Sequence, residues 1–437
     1  MPNLSVIAAE LEQDIRSHRL LDLPTPYPAD FVFPSYNGLS IFNLMQSVGA
    51  LLGADMPYGL DARLLSQIPQ DVDRVVVLIT DGLGYYRLRH LIEQEPGLRD
   101  DVEAITEKGG FVPLTSSAPS TTACALPVFW TAEPPAITGM LGTSMFLPKV
   151  GVLTDMLSFR AFDPAQKAQF EAANLQPEQF VPVPSVPQRL AEAGVPTHLL
   201  LMRSLYNTGL SRFMHRGVQH MHPHLGLNDL WMRLHDMLSE TRGQKCYINV
   251  YVPNVDSLSH AYGADAPYVN AEIVYQFQQL RRLLQDPALH DGRTLFMITA
   301  DHGHQNTPHT IDLRVDPRFA PVRDAMHGYG GDERFLYLYV RDGMCEPLLA
   351  YLTHDLSDVV TAVDRETALQ AGLFGDTARA AEWHPEIRER VGDILIFARP
   401  GVRFTDSHSQ YRMPPMVSIH AGLSPAEMLV PLVWRRF

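Results

Sequence analysis

Three short runs in this chain are apolar almost throughout, and an acidic residue stands just beyond each: RVVVLIT before Asp81, CYINVYV before Asp256 and TLFMIT before Asp301. Runs of this kind, rich in β-branched residues and without polar alternation, fit strands buried on both faces. Two amphipathic stretches, LNDLWMRLHDMLSE and YVNAEIVYQFQQLRRLLQ, have helical spacing, and each precedes one of the apolar runs. Strand–helix alternation of this sort leaves few topologies open. It predicts an α/β fold with a mostly parallel central sheet flanked by helices.

The same patterns recur elsewhere. IFNLMQSVGALLG reads as a helix, VPQRLAEAG as a helix closed by Gly194, THLLLM as a strand, and RFLYLYV and DILIFA as late strands. Residues 1–34 read as an N-terminal helix with a proline-rich lead, and 35–437 as one α/β domain. Segments around 144–184, 303–330 and 341–390 interrupt the alternation. They are expected to be cap or lid insertions rather than independent domains.

Charge and composition narrow the function. A formal net charge of −14 at pH 7 weighs against long nucleic acids and anionic membrane surfaces, since both require a basic patch. It leaves room for a small phosphorylated ligand held through metal ions. Cys124, Cys246 and Cys345 are too scattered for a disulfide framework or a thiolate metal site. The N-terminal stretch lacks a basic region followed by an unbroken apolar core, and no run of about 18 apolar residues occurs. A cytoplasmic protein that does not engage the membrane is the expectation. Oligomeric state is not encoded in any pattern of this kind.

In an open parallel α/β sheet, ligands bind beyond the carboxyl ends of the strands. Asp81 follows the first run; Asp256 follows the second, with His260 four residues on. Asp301, His302 and His304 lie in ADHGH after the third, and His420 precedes a turn in SIHAGLSPAEMLVPLV. Singly, each has an ordinary explanation: Asp81 as a turn or helix cap, Asp256 and His260 as a surface pair, DHGH as a polar loop. Together, Asp81, Asp256, Asp301, His260, His302 and His420 would converge at one rim of the sheet. Carboxylate and imidazole without thiolate suit zinc or manganese. Six such donors suit two ions about 4 Å apart, a geometry that clamps a phosphoryl group.

The segment TSSAPSTTACALPVFWTAEPPAITGMLG turns at Pro119 and then becomes an apolar helix. A hydroxyl at that helix start would sit among free backbone N–H groups, where an anionic phosphate is favoured. Ser120 and Thr121 equally fit plain N-caps.

From about residue 35 to the end, the ordered motifs resemble the alkaline phosphatase superfamily: Asp81-Gly, Pro-Ser-Thr-Thr, Asp256-x-x-x-His260, Asp301-His302-Gly303, and His420 with GLSPAEMLVPL. The chain is most similar to the nucleotide pyrophosphatase/phosphodiesterase branch. The resemblance implies an alkaline phosphatase-like three-layer sandwich. It implies one metal ion on Asp81, Thr122, Asp301 and His302, and a second on Asp256, His260 and His420. It further implies Thr122 as a nucleophile that becomes covalently phosphorylated. Thr122 is selected over Thr121 because the family's nucleophile lies nine residues before the threonine of a Thr-Gly pair. Thr131 fills that position here, with Ala132 in place of the glycine. The branch also holds the phosphate with an asparagine about four residues after the glycine matched by Gly139. This chain has Thr143 there, whose hydroxyl has shorter reach. Sulfatases share the fold but need C/S-x-P-x-R, which does not follow Pro119.

The resulting expectation is a hydrolase of phosphate esters, foremost of phosphodiester or nucleotide pyrophosphate bonds, with two divalent ions, zinc ahead of manganese. A phosphomonoesterase on the same scaffold and a non-catalytic ligand-binding relative are the alternatives. Thr143, Arg334 and His304 are candidate substrate contacts. His309, Tyr206 and Phe213 are weaker ones, which surface exposure or core packing would equally explain.

Overall fold

The computed structural model describes residues 2–20, 30–406 and 416–437; residues 21–29 of the proline-rich lead lie outside the described residues. The central sheet has seven strands. Their spatial order is Gly109–Thr115, Leu429–Arg436, Thr294–Thr299, Arg74–Thr80, Cys246–Val252, Thr197–Met202, His220–His224. The last five run parallel. Leu429–Arg436 lies antiparallel to both of its neighbours, so the sheet is mixed and its antiparallel part is confined to one edge.

The three inner strands are buried at every position, which is why their sequences show no alternation. Their register pairs Thr80 with Val252 and Ile79 with Thr299. The three strands therefore end level, and Asp81, Asp256 and Asp301 follow at a common rim. Helices Leu227–Glu240 and Pro267–Gln285 bury Leu230, Leu234, Leu238 and Ile273, Phe277, Leu280, Leu284 respectively. These are the helical stripes read from the sequence, and they join the same apolar core as the strands.

A second seven-stranded sheet is antiparallel. Its order is Val360–Asp364, Ile394–Ala398, Phe335–Val340, Met326–Asp332, Ser144–Leu147, Val152–Asp155, Arg160–Ala161. The late runs RFLYLYV and DILIFA belong here and not to the parallel alternation. A strand buried along most or all of its length reads the same in either sheet, so burial alone could not assign them. The three interrupting segments each contribute strands to this sheet. The hairpin Met326–Asp332/Phe335–Val340 turns sharply: Gly331 has φ 99°, and a Cβ there would lie 2.2 Å from the Phe335 carbonyl oxygen. Among the described residues, no helix is long and apolar enough to cross a membrane.

Candidate metal centre

Asp81 leaves its strand with its N–H donated to the Val252 carbonyl at 3.0 Å, and its own carbonyl accepts the Asp256 N–H at 2.9 Å. Two strand ends are thereby tied together. Gly82 has φ 78°, and a Cβ there would come within 2.8 Å of the Asp256 Cα and 2.9 Å of the His304 ring. Only glycine lets the two loops approach this closely. Asp256 and His260 occupy one face of helix Asn254–Tyr262. The short pairing of Gln305–Asn306 with Ser418–Ile419 brings His420 beside the DHGH loop.

Two groups of potential ligand atoms result: Asp81, Asp301 and His302, and Asp256, His260, His304 and His420. Three imidazoles are oriented in the same manner. Nδ1 of His260 lies 2.9 Å from the Ser418 carbonyl oxygen, Nδ1 of His302 lies 3.0 Å from that of Gly303, and Nδ1 of His420 lies 3.2 Å from that of Ser120. A carbonyl oxygen only accepts, so each Nδ1 carries the hydrogen and each Nε2 presents a lone pair to the centre. From Asp256 Oδ1, His260 Nε2 is 3.3 Å away and His420 Nε2 is 3.6 Å. His302 Nε2 is 3.4 Å from both Asp81 Oδ1 and Asp301 Oδ2. Donors sharing one tetrahedral ion at about 2.0–2.1 Å stand about 3.3 Å apart, so these spacings fit.

The electrostatics agree. Burial pushes the Asp81 carboxyl well above the usual carboxylate range, and the neighbouring Asp301 and Asp256 push it further. Asp81 Oδ1 and Asp301 Oδ2 are buried without a hydrogen-bond partner, an arrangement that costs free energy unless a cation is present. Burial would raise Asp256 too, but the neighbouring His260 and His304 hold it well below the ordinary range. Burial, then His302 and His260, keeps His420 far below the usual imidazole value, and a neutral imidazole is the ligand form. The donor set and the stranded oxygens fit divalent ions.

Thr122 opens helix Thr122–Thr131, and its Oγ1 lies 3.1 Å from His302 Nε2. The hydroxyl of Thr121 turns away, toward Thr143 and Asp332. Ala132, in the place of the family's glycine, adopts φ 51° at the end of that helix, a left-handed position where glycine is the ordinary choice.

Two candidate substrate contacts lie elsewhere. Arg334 is fully buried, with Nε 2.6 Å from Glu427 Oε1 and Nη2 2.9 Å from Oε2. Nη2 also donates to Gln305 Oε1 at 2.7 Å. It is a strut between the hairpin of the second sheet and the loops after His302 and His420, and it does not face a phosphate. His304 belongs to the second ligand group; its Nε2 lies 2.8 Å from Asp256 Oδ1 and its Nδ1 3.2 Å from Ser418 Oγ. The 2.8 Å separation is a hydrogen bond rather than a shared-ion spacing, so His304 orients Asp256. Thr143 lies beside Thr121, its Oγ1 3.4 Å from that hydroxyl. His309 is exposed on strand His309–Asp312. Phe213 is buried among Phe159 and Phe180, and Tyr206 packs on His215.

Three contributors escaped sequence reasoning. The Tyr251 hydroxyl donates to Asp81 Oδ2; its position at the end of a buried strand was the available signal. Ser418 buttresses His260 and His304, and Asp332 reaches Thr121 from the second sheet. No local pattern marks these two.

Comparison with known proteins places the chain in a family and matches its fold to solved structures. The model of the type I phosphodiesterase/nucleotide pyrophosphatase family matches residues 75–420. No curated protein matches the chain in sequence. Among solved structures, murine ectonucleotide pyrophosphatase/phosphodiesterase 5 superposes with a TM-score of 0.57 at 14% identity, covering 82% of this chain and 87% of that one. An inactive variant of the murine protein, with alanine in place of a threonine, was solved in complex with AMP and superposes with a TM-score of 0.58 at 14% identity, with the same coverage. Phosphonoacetate hydrolase from Sinorhizobium meliloti, in complex with phosphonoformate, gives 0.59 at 18% identity, covering 84% and 91%.

Proposed function

This chain belongs to the type I phosphodiesterase/nucleotide pyrophosphatase family of hydrolases, and from that membership we propose that it cleaves phosphodiester or nucleotide pyrophosphate bonds through Thr122. The observation that carries the reading is the Thr122 hydroxyl, 3.1 Å from His302 Nε2 at the edge of the first ligand group. Asp81, Thr122, Asp301 and His302 would hold one ion, and Asp256, His260 and His420 the other. Divalent ions so held, zinc or manganese, supply positive charge to the phosphoryl oxygens and lower the pKa of a bound hydroxyl or water.

The chain's own part follows from position. Thr122 lies in the first turn of its helix, where unpaired N–H groups favour an anionic phosphate. Its Oγ, having lost its proton, attacks phosphorus in line, the bond to the leaving oxygen breaks, and a phosphothreonine forms. Water then displaces Thr122 from phosphorus, restoring the hydroxyl. His260, His302 and His420, each with Nδ1 on a backbone carbonyl, and Asp256, steadied by His304, keep their donor atoms aimed without rearrangement. Two relatives lend support: the murine enzyme whose threonine-to-alanine form is inactive with AMP bound, and the phosphonoacetate hydrolase.

The test compares bis-p-nitrophenyl phosphate with p-nitrophenyl phosphate on zinc- or manganese-loaded protein. The diester is expected to turn over with the higher kcat/KM. A preference for the monoester would make the chain a phosphomonoesterase, and turnover of neither with metal bound would leave a ligand-binding relative.

A further inference from the structure

Thr121 is fully buried, and its Oγ1 lies 3.3 Å from Asp332 Oδ1 and 3.4 Å from Thr143 Oγ1. Asp332 Oδ2 accepts the Thr143 N–H at 3.1 Å. A Cβ on Gly142 would come within 2.6 Å of that same oxygen, so the backbone at 142 makes room for the carboxylate. Asp332 is delivered by the hairpin tip of the second sheet, and Arg334, two residues on, pins that tip to Glu427. Among the described residues, no lysine or arginine forms an ion pair with Asp332. The next residue, Glu333, is a second acid, but its Oε2 lies 3.7 Å from Arg403 Nη1, so the unpaired charge is that of Asp332.

A carboxylate therefore stands behind Thr121 and Thr143, reached through the residue next to Thr122 in the chain. A backbone N–H can only donate, so the oxygen facing Thr143 is an acceptor, and the Thr121 hydroxyl can donate to the other. We propose that Asp332 sets the charge class of the substrate: its carboxylate, held by Thr121 and Thr143, admits a singly charged phosphodiester and disfavours a doubly charged phosphate monoester. The inference rests on the phosphoester reading above and deepens it. The two ester classes differ by one negative charge on the same phosphoryl oxygens. A partly buried carboxylate with no lysine or arginine partner penalises that extra charge more than water would.

The test uses the zinc-loaded protein at about pH 8, where a phosphate monoester is doubly charged. Asp332→Asn keeps an oxygen for the Thr143 N–H and an amide for the Thr121 hydroxyl while removing the charge; Asp332→Ser removes the charge by a second route should the first variant fold poorly. Kinetics on bis-p-nitrophenyl phosphate and p-nitrophenyl phosphate are paired with calorimetric titration by inorganic phosphate and by dimethyl phosphate. The neutral variants are expected to gain about ten-fold or more in monoester kcat/KM relative to diester kcat/KM. They should also bind inorganic phosphate about ten-fold more tightly with little change toward dimethyl phosphate. An unchanged ratio, or an equal loss toward both esters, overturns the inference. Absence of any ester turnover by the wild type would contradict the phosphoester reading instead, and the two titrations would still decide the role of Asp332.

Discussion

The imidazole rings of His302 and His420 stack 3.8 Å apart and 20° from parallel. One ring belongs to the group built on Asp81 and Asp301, the other to the group built on Asp256 and His260. The two groups thus share a wall, and Thr122 approaches it from the His302 side. Segments far apart in the chain meet here because three strands end level and a two-stranded pairing folds His420 back onto them.

The cluster should be a stability liability without metal. Asp81 has its folded pKa raised by burial and by Asp301 and Asp256. The folded metal-free protein therefore binds protons more tightly than the unfolded chain, and Asp81 costs stability progressively as pH rises from about 3.9 toward its raised value. Chelation at neutral pH should lower Tm, and acidifying the chelated protein moderately should recover part of the loss. Asp81→Asn should stabilise the metal-free protein at pH 7 by roughly 1–3 kcal/mol while abolishing retention of one ion. Thermal melts with and without chelator measure this.

The adjacent threonines should separate cleanly. Thr122→Ala is expected to lower kcat by at least about 10³-fold, with metal content preserved on the second group. Thr121→Ala, which removes a hydroxyl directed at Asp332 and not at the metal groups, should retain most of the activity. Steady-state kinetics together with elemental analysis of both variants check the assignment.

His304 and His420 should also differ. His420→Ala removes a donor nitrogen and should release an ion outright on gel filtration. His304→Ala removes a hydrogen bond to Asp256, and loss of such a supporting partner typically weakens metal binding by about 10–100-fold. Competition with a chromophoric chelator distinguishes the two cases.

Glu427 carries the opposite pH sign from Asp81. Burial would raise its pKa, but Arg334, Ser424 and the Gly422 N–H hold it below the ordinary value. Its contribution is complete above the unfolded carboxyl value of about 4.3 and is lost as pH falls through the lower folded value. Glu427→Gln leaves the Arg334 guanidinium buried without its counter-charge and should cost about 3–5 kcal/mol at neutral pH. The gap to wild type should narrow only in strong acid, as read by denaturant midpoints.

The gathering of these carboxylates and imidazoles was legible in the sequence because the carboxylates follow strands whose composition announces them. Asp81, Asp256 and Asp301 each come just after a run buried on both faces, and level strand ends convert that spacing into proximity. Arg334 was misread because an arginine ahead of a strand looks the same whether it meets a phosphate or Glu427; the partner lies 93 residues away. His304 was underweighted for a related reason. Its importance depends on Asp256 and Ser418, which come from other loops. The second sheet was obscure because its strands arrive from separate insertions, and antiparallel pairing over such distances leaves no local period. Asp332 is legible only once the hairpin Met326–Val340 is seen against Thr121.

Anomalous diffraction at the zinc absorption edge, from crystals of the zinc-loaded protein, would locate the ions at this centre. Two peaks are expected, one bounded by Asp81, Thr122, Asp301 and His302 and the other by Asp256, His260 and His420. A single peak, or ions that leave the Thr122 oxygen untouched, would contradict the account.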